Sequence, residues 1–176
     1  MGKRRMAREM ALQMLYQHDL GGAAAAQIFQ VFDRTPYLGA DGAARRGEEA
    51  EEGRRVPAGA RRPASAAGER RRREVEEAFT YGRELVQGTL EHLDEVNRLI
   101  REQADNWRLE RMPAVDRNIL RLAVYELLYE EDIPSLVVVD EAIELAKKFS
   151  TDQSGRFVNG LLDGLLKRDE VAGARR

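Results

Sequence analysis

The stretch RNILRLAVYELLYEE, residues 117–131, decides the fold. Ile119, Leu120, Ala123, Val124, Leu127 and Leu128 fill more than half of a helical wheel, and Leu122 adds an apolar residue on the other side. A helix apolar around so much of its circumference belongs at the centre of a helical protein. Its remaining strip carries Arg117, Asn118, Arg121, Tyr125 and Tyr129. Pro113 ends the preceding linker, and Asp116 is the expected N-cap.

Outward from this segment, helical periodicity continues in both directions. Upstream, Val75, Ala78, Phe79, Leu85, Val86, Leu90 and Leu93 form one stripe from Glu74 onward. A break is expected near Asp94, as an N-cap, before a second stripe of Val96, Leu99, Ile100 and Ala104 runs to Trp107. Downstream, Pro134 and Ser135 mark a restart into a helix over 137–149, with Val138, Ala142, Ile143, Leu145 and Phe149 as its inner face. Leu136 to Val139 has strand propensity, but there is no second strand to pair with it. Asp152 or Ser154 opens the last helix, through Phe157, Val158, Leu161, Leu162, Leu165 and Leu166. Gly160 and Gly164, four apart, suit close helix approach, and the polar tail from Asp169 is expected to fray.

The chain opens with a helix over 3–20, whose stripe is Met6, Ala7, Met10, Ala11 and Met14, closed by Gly21 and Gly22. A short helical pattern follows over 23–32. From Thr35 to Arg73 the composition changes: three prolines, many Gly and Ala, blocks of charge, and only Tyr37, Leu38 and Val56 large enough to bury. Such a segment does not offset its ordering entropy and is expected to be a disordered insertion within a single domain spanning 1–176. The fold expected is all-α, about seven helices.

Composition bounds the chemistry. The 176 residues are 43% apolar and 34% charged, with no cysteine and only His18 and His92. Disulfides, thiolate catalysis and cysteine-ligated zinc are excluded, and a multi-histidine metal site is not expected. No apolar run approaches the roughly 18 residues that span a bilayer. Glu9, Gln13, Gln17 and His18 interrupt what would be the apolar core of a signal peptide, so a cytoplasmic protein is the default expectation. No phosphate loop, metal motif or nucleophile–base pair occurs, so neither an enzyme nor a cofactor is expected.

The chain is slightly acidic, with a pI near 5.9, yet Lys3, Arg4, Arg5 and Arg8 crowd its beginning. Basic clusters on an acidic protein are read as local phosphate contacts. Arg4, Arg5 and Arg8 fall in one quadrant beside the apolar stripe, where each guanidinium could hold a phosphate or stack on a base. The alternative is a merely solvated helix start, although positive charge there opposes the helix dipole.

Four segments carry a resemblance. Residues 5–16 (RMAREMALQMLY), 115–127 (VDRNILRLAVYEL), 140–149 (DEAIELAKKF) and 156–163 (RFVNGLLD) resemble, in this order, motifs of the NusB family of bacterial transcription antitermination factors. The resemblance implies two small helical bundles packed crosswise and no enzymatic activity. It implies binding to boxA RNA of ribosomal RNA leaders, as a heterodimer with the ribosomal protein NusE, within an antitermination complex on RNA polymerase. It further implies RNA contacts from the basic start (Lys3, Arg4, Arg5, Arg8) and the opening of the last helix (Ser154, Arg156, Asn159). Backbone N–H groups at that helix start also suit a phosphate.

Phe157 reads as core rather than as a stacking platform. Asn159 either reads a base edge or bridges helices, and Lys147 and Lys148 are either auxiliary phosphate contacts or solvated charges. Tyr16, Asp116, Asn118, Arg121 and Tyr125 form the candidate surface for the protein partner, since Tyr and Arg anchor interfaces. Internal pairing of Arg117 or Arg121 is the equal alternative. Two rival functions stand: an accessory domain like those fused to ribosomal RNA methyltransferases, and a protein-interaction module that does not touch RNA. Some family members pair with themselves, so a homodimer stays open. The arginine blocks of the insertion are either passive or extend the RNA footprint.

Overall fold

A computed structural model describes residues 2–39, 66–104, 108–168, 171 and 173. The helices are α1 (Lys3–Gly21), α2 (Ala25–Val31), α3 (Thr35–Leu38), α4 (Ala66–Glu91), α5 (Leu93–Gln103), α6 (Ala114–Tyr129), α7 (Ser135–Phe149) and α8 (Asp152–Leu166), with one 3-10 turn at Leu109–Arg111. Among the described residues there is no strand, and the protein is all-α as expected.

The central helix is the one the wheel identifies. In α6, Ile119, Leu120, Leu122, Ala123, Val124 and Leu127 are all buried, and the helix packs on α1, α4, α5, α7 and α8. It therefore belongs to two groups at once: α1 to α4 on one side, and α5, α7 and α8 on the other. On α1, the stripe Met6, Ala7, Met10, Ala11 and Met14 is completely buried. The helix stops at Gly22, whose φ of 64° is the left-handed geometry glycine adopts freely. Where α1 crosses α4, a Cβ on Gly82 would lie 2.9 Å from the Ala7 carbonyl oxygen, so only glycine permits that spacing.

Several boundaries differ from the sequence reading. The disorder expected from 35 to 73 does not hold at its two ends. Residues 35–38 form α3, and α4 starts at Ala66 rather than Glu74. Tyr37 ties the two together: it is buried, its hydroxyl accepts from Gln13 Nε2 at 2.7 Å, and its carbonyl accepts from Arg71 Nε at 2.9 Å. The remainder of the expected insertion, 40–65, lies outside the described residues, as does Trp107. The break after α4 falls at His92, and Asp94 sits inside the first turn of α5. The N-cap of α6 is Pro113, not Asp116, while α8 starts at Asp152, one of the two starts expected, after Thr151 as its N-cap. Of the two glycines on α8, Gly164 does meet a neighbour, Gln103 of α5, while Gly160 faces open space. In the tail expected to fray, Val171 is buried.

Two polar clasps hold α1 antiparallel to α6. Near the start of α1, Arg8 grips Glu126: its Nε donates to both carboxylate oxygens at 3.0 Å and its Nη2 to Oε1 at 2.7 Å. Both side chains are almost fully buried, 3% and 2% exposed. Burial alone would press the Arg8 guanidinium down, but the Glu126 carboxylate holds it above its ordinary range, fully charged. Near the end of α1, Asp19 accepts from Arg117 Nη2 at 2.6 Å, Asn118 Nδ2 at 3.0 Å and Arg121 Nη1 at 2.9 Å.

The Arg8→Met variant leaves Glu126 buried without its cation. We expect it to lower unfolding stability by about 3–5 kcal/mol, while Arg8→Met with Glu126→Leu recovers most of the loss. Urea denaturation of the single and double variants measures both values. A double variant no more stable than the single one would show that shape, not charge, sets this contact.

Candidate nucleic-acid interface

The first turn of α1 presents Lys3, Arg4 and Arg5 outward and exposed. Lys3 Nζ pairs with Glu77 of α4 at 2.6 Å. Arg5 forks onto Glu141 of α7, with Nη2 to Oε1 at 2.7 Å and Nε to Oε2 at 3.0 Å. Arg4 has no hydrogen bond or ion pair among the described residues. Arg8 is a correction to the expected cationic quadrant. It lies one turn after Arg4 and Arg5, but it points into the α1–α6 contact and is consumed by Glu126, so no phosphate reaches it.

Helix α7 connects this lip to the opening of α8. On one flank, Glu141 receives Arg5, and Lys148 Nζ donates to the buried Glu9 of α1 at 2.6 Å. On another, Lys147 lies against α8: a Cβ on Gly155 would be 3.5 Å from the Lys147 Cγ. The two expected RNA regions are thus bridged by one helix, about 10 Å across. Lys147 also pairs with Glu144 at 2.9 Å, so the strip alternates cations and carboxylates at the surface.

At the start of α8, Arg156 is exposed and makes no ion pair among the described residues. Ser154 is a second correction. It is buried, donates its hydroxyl proton to Asp116 Oδ2 at 2.9 Å, and lies 2.9 Å and 3.0 Å from the hydroxyls of Ser150 and Thr151. Its side chain is committed inward, which leaves the backbone of that turn, Lys147 and Arg156 to face a ligand. Asn159 is half-buried and donates to Asp163 Oδ2 at 3.4 Å, a long and weak bond. Phe157 packs against the core, the reading the sequence favoured.

The candidate partner surface separates in the same way. Asp116 and Asn118 are buried, 4% and 1% exposed, and Asn118 is spent on Asp19 and the Ala114 carbonyl. Arg121 is half-buried and bonded to Asp19, Asn97 and Asn118. The internal-pairing alternative therefore holds for this strip. Its partner is Asp19, which the sequence reading did not single out. The only signal was its charge on the flank of α1 away from the apolar stripe. What remains exposed beside the clasp is Tyr16, 39% exposed, and Leu20, 59% exposed, one turn apart on α1 and flanking Asp19. Tyr125 is half-buried, with its ring against Gly88 and stacked 5.3 Å from Tyr129, which stacks in turn on His92 at 3.9 Å.

Burial works against a charge on Asp19, but the bonds from Arg121 and Arg117 outweigh it and hold the carboxyl below its ordinary range. A depressed carboxyl contributes stability that is complete above its unfolded value, near ~3.9, and fades as pH falls through the lower folded value. Asp19→Asn should cost about 2 kcal/mol at neutral pH, less than a fully buried pair because the clasp is partly wet. The same variant should show a shallower loss of stability below about pH 4. Urea titrations at a series of acid pH values read both; parallel pH profiles for the two proteins would remove Asp19 from the acid transition.

Comparison with known proteins places this architecture. A sequence profile described as the NusB family matches residues 60–167. The transcription antitermination protein NusB of Myxococcus xanthus is 38% identical over 163 residues, covering 93% of this chain and 94% of that one. The structure of T. maritima NusB superposes with a TM-score of 0.64 at 32% identity, over 94% of this chain and 91% of that one. A crystal structure of the antitermination factors NusB and NusE in complex with dsRNA matches with a TM-score of 0.63 over 94% and 96% of the two chains; its 24% identity speaks to the fold alone.

Proposed function

This chain belongs to the NusB family, and from that premise we propose that it is a transcription antitermination factor without catalytic activity. It grips boxA RNA of ribosomal RNA leaders together with the ribosomal protein NusE, and the pair joins the antitermination complex on RNA polymerase. The observation that carries the RNA half is the bridge through α7. Arg5 on Glu141 and Lys147 against Gly155 bring the basic start of α1 and the opening of α8 onto one helix. Arg4 and Arg156, exposed and unpaired among the described residues, are the primary phosphate contacts. Lys3 joins them by exchanging the exposed carboxylate of Glu77 for a phosphate, an exchange that costs little because such a surface pair contributes only about 0–1 kcal/mol. Arg5, itself exposed, joins at a higher cost, since its fork on the half-buried Glu141 is the firmer pair.

The protein half rests on the exposed face of α1 beside the Asp19 clasp. Tyr16 and Leu20 supply an amphipathic anchor and an apolar one, the combination that carries binding energy at interfaces. Behind them Arg117, Asn118 and Arg121 hold the face rigid instead of reaching across. Among the described residues no helix is long and apolar enough to cross a membrane.

Contacts to about four phosphates of a single strand give a log–log salt slope near −3. Replacing Arg4 and Arg5 with Ala should flatten it by about 1.4, at roughly 0.7 per contact. Fluorescence titrations of labelled boxA RNA across a salt series, with NusE present, read the slope. A scrambled RNA bound equally well would refute the sequence preference, and an unchanged slope would remove the α1 lip from the RNA. Tyr16→Ala should weaken association with NusE about tenfold or more by calorimetry, while leaving the salt slope alone.

A further inference from the structure

The first turns of α4 carry four consecutive arginines, Arg70 to Arg73, that the reading above leaves unused. The helix sorts them. Arg71 is turned toward the fold, where its Nε donates to the Tyr37 carbonyl at 2.9 Å. Arg70 and Arg73 lie two turns and one turn before Glu77 on the same outward face, since residues three and four apart on a helix are neighbours. Glu77 is the residue that Lys3 of α1 grips, with Nζ at 2.6 Å. The outward face of α4 therefore begins where the basic lip of α1 ends.

The charges on this face are not cancelled. Glu77 is answered by Lys3, and Glu74 is shared by Arg70 Nε at 3.0 Å and Arg71 Nη1 at 3.5 Å. Arg73 is exposed and makes no ion pair among the described residues. The Arg70 side chain is 82% exposed despite its bond to Glu74, an i, i+4 pair of a kind that is readily exchanged. The exposed neighbours of these arginines on α4 are Ala66, Ala67 and the carboxylates Glu69, Glu76 and Glu77, while the large apolar residues Val75 and Phe79 are turned into the core. A polar face whose exposed arginines exchange carboxylates readily, and which lacks apolar anchors, suits a phosphate backbone better than a folded protein or a bilayer, which both need apolar burial.

We propose that Arg70 and Arg73 form a second phosphate-contacting ridge. It carries a single RNA strand past Lys3 and along α4 for about 10 Å of helix. This rests on the RNA-binding reading above and extends it: the ridge recognises the backbone, so it adds length and salt dependence to the bound RNA without adding sequence preference.

The test uses the full chain with NusE and two labelled RNAs that share the boxA sequence. One is about 12 nucleotides, within the span of one compact single-strand site, and one is about 30. In Arg70→Ala with Arg73→Ala, affinity for the long RNA should fall about three- to tenfold and its log–log salt slope should flatten by about 1.4, while the short RNA is bound as before. Arg70→Lys with Arg73→Lys should keep most of the long-RNA affinity, since a point charge suffices for a phosphate. An equal loss on both RNAs, or no loss on either, overturns the ridge while leaving the RNA-binding reading intact. An acidic peptide that displaces the short and long RNAs alike also overturns it, by assigning the arginines to no RNA of extra length. Failure of the unaltered protein to bind even the short RNA sinks both readings together.

Discussion

The two clasps between α1 and α6 are the constraint on which the rest depends. Apolar stripes bring two helices together, but they tolerate sliding, since one methylene surface resembles the next. A buried bidentate ion pair does not. If Arg8 slipped by one turn it would leave Glu126 charged, desolvated and alone, at a cost of several kcal/mol. The Asp19 clasp repeats the restriction eleven residues later, about 16 Å along the helix. Pinned at both places, α1 has one register on the central helix, and its first turn has one position relative to α7. The location of Lys3, Arg4 and Arg5 is therefore a consequence of charges that are largely withdrawn from solvent.

This division explains how an acidic protein can present a basic surface. Arg8, Arg117 and Arg121 are consumed in structure by Glu126 and Asp19. The outer cations keep carboxylates within reach, as Lys3 does Glu77 and Arg5 does Glu141. Such neighbours lower the resting potential of the surface and discourage indiscriminate binding to polyanions. Glu77 also surrenders its cation readily, because exposed pairs are weak and screened by salt. The same residue type thus serves as rigid fastener or exchangeable contact according to burial alone.

The helices were legible in the sequence because their apolar spacing is local. The central position of α6, the stripe of α1 and the core role of Phe157 all follow from periods of three and four. What escaped was set by partners distant in the chain. Arg8 sits at the edge of its stripe, close in angle to Arg4 and Arg5, and nothing local shows that Glu126 waits opposite. Asp19 was invisible for the same reason, since its three donors lie on another helix. Asp116 illustrates a further limit: it is a good capping residue, but Pro113 takes the N-cap and α6 opens at Ala114, two residues before Asp116. The early start of α4 depends on Tyr37, one buried ring whose carbonyl receives Arg71, and composition averages such a contact away.

Asp116 then acquires a role that its position in the chain does not suggest. It lies in the first turn of α6 and receives the hydroxyl of Ser154, in the first turn of α8. Its negative charge is thus offered to the positive ends of two helices at once, each a favourable placement. One carboxylate oxygen, Oδ1, is buried without a hydrogen-bond partner, a cost that these two dipoles help to offset. The same charge weakens the attraction that the start of α8 would otherwise exert on a phosphate. Anion affinity at that end of the surface must come from side-chain cations instead, and Arg156 and Lys147 are the ones that stand there. The helix terminus orients the strand's approach, and the guanidinium and ammonium groups supply the force that holds it.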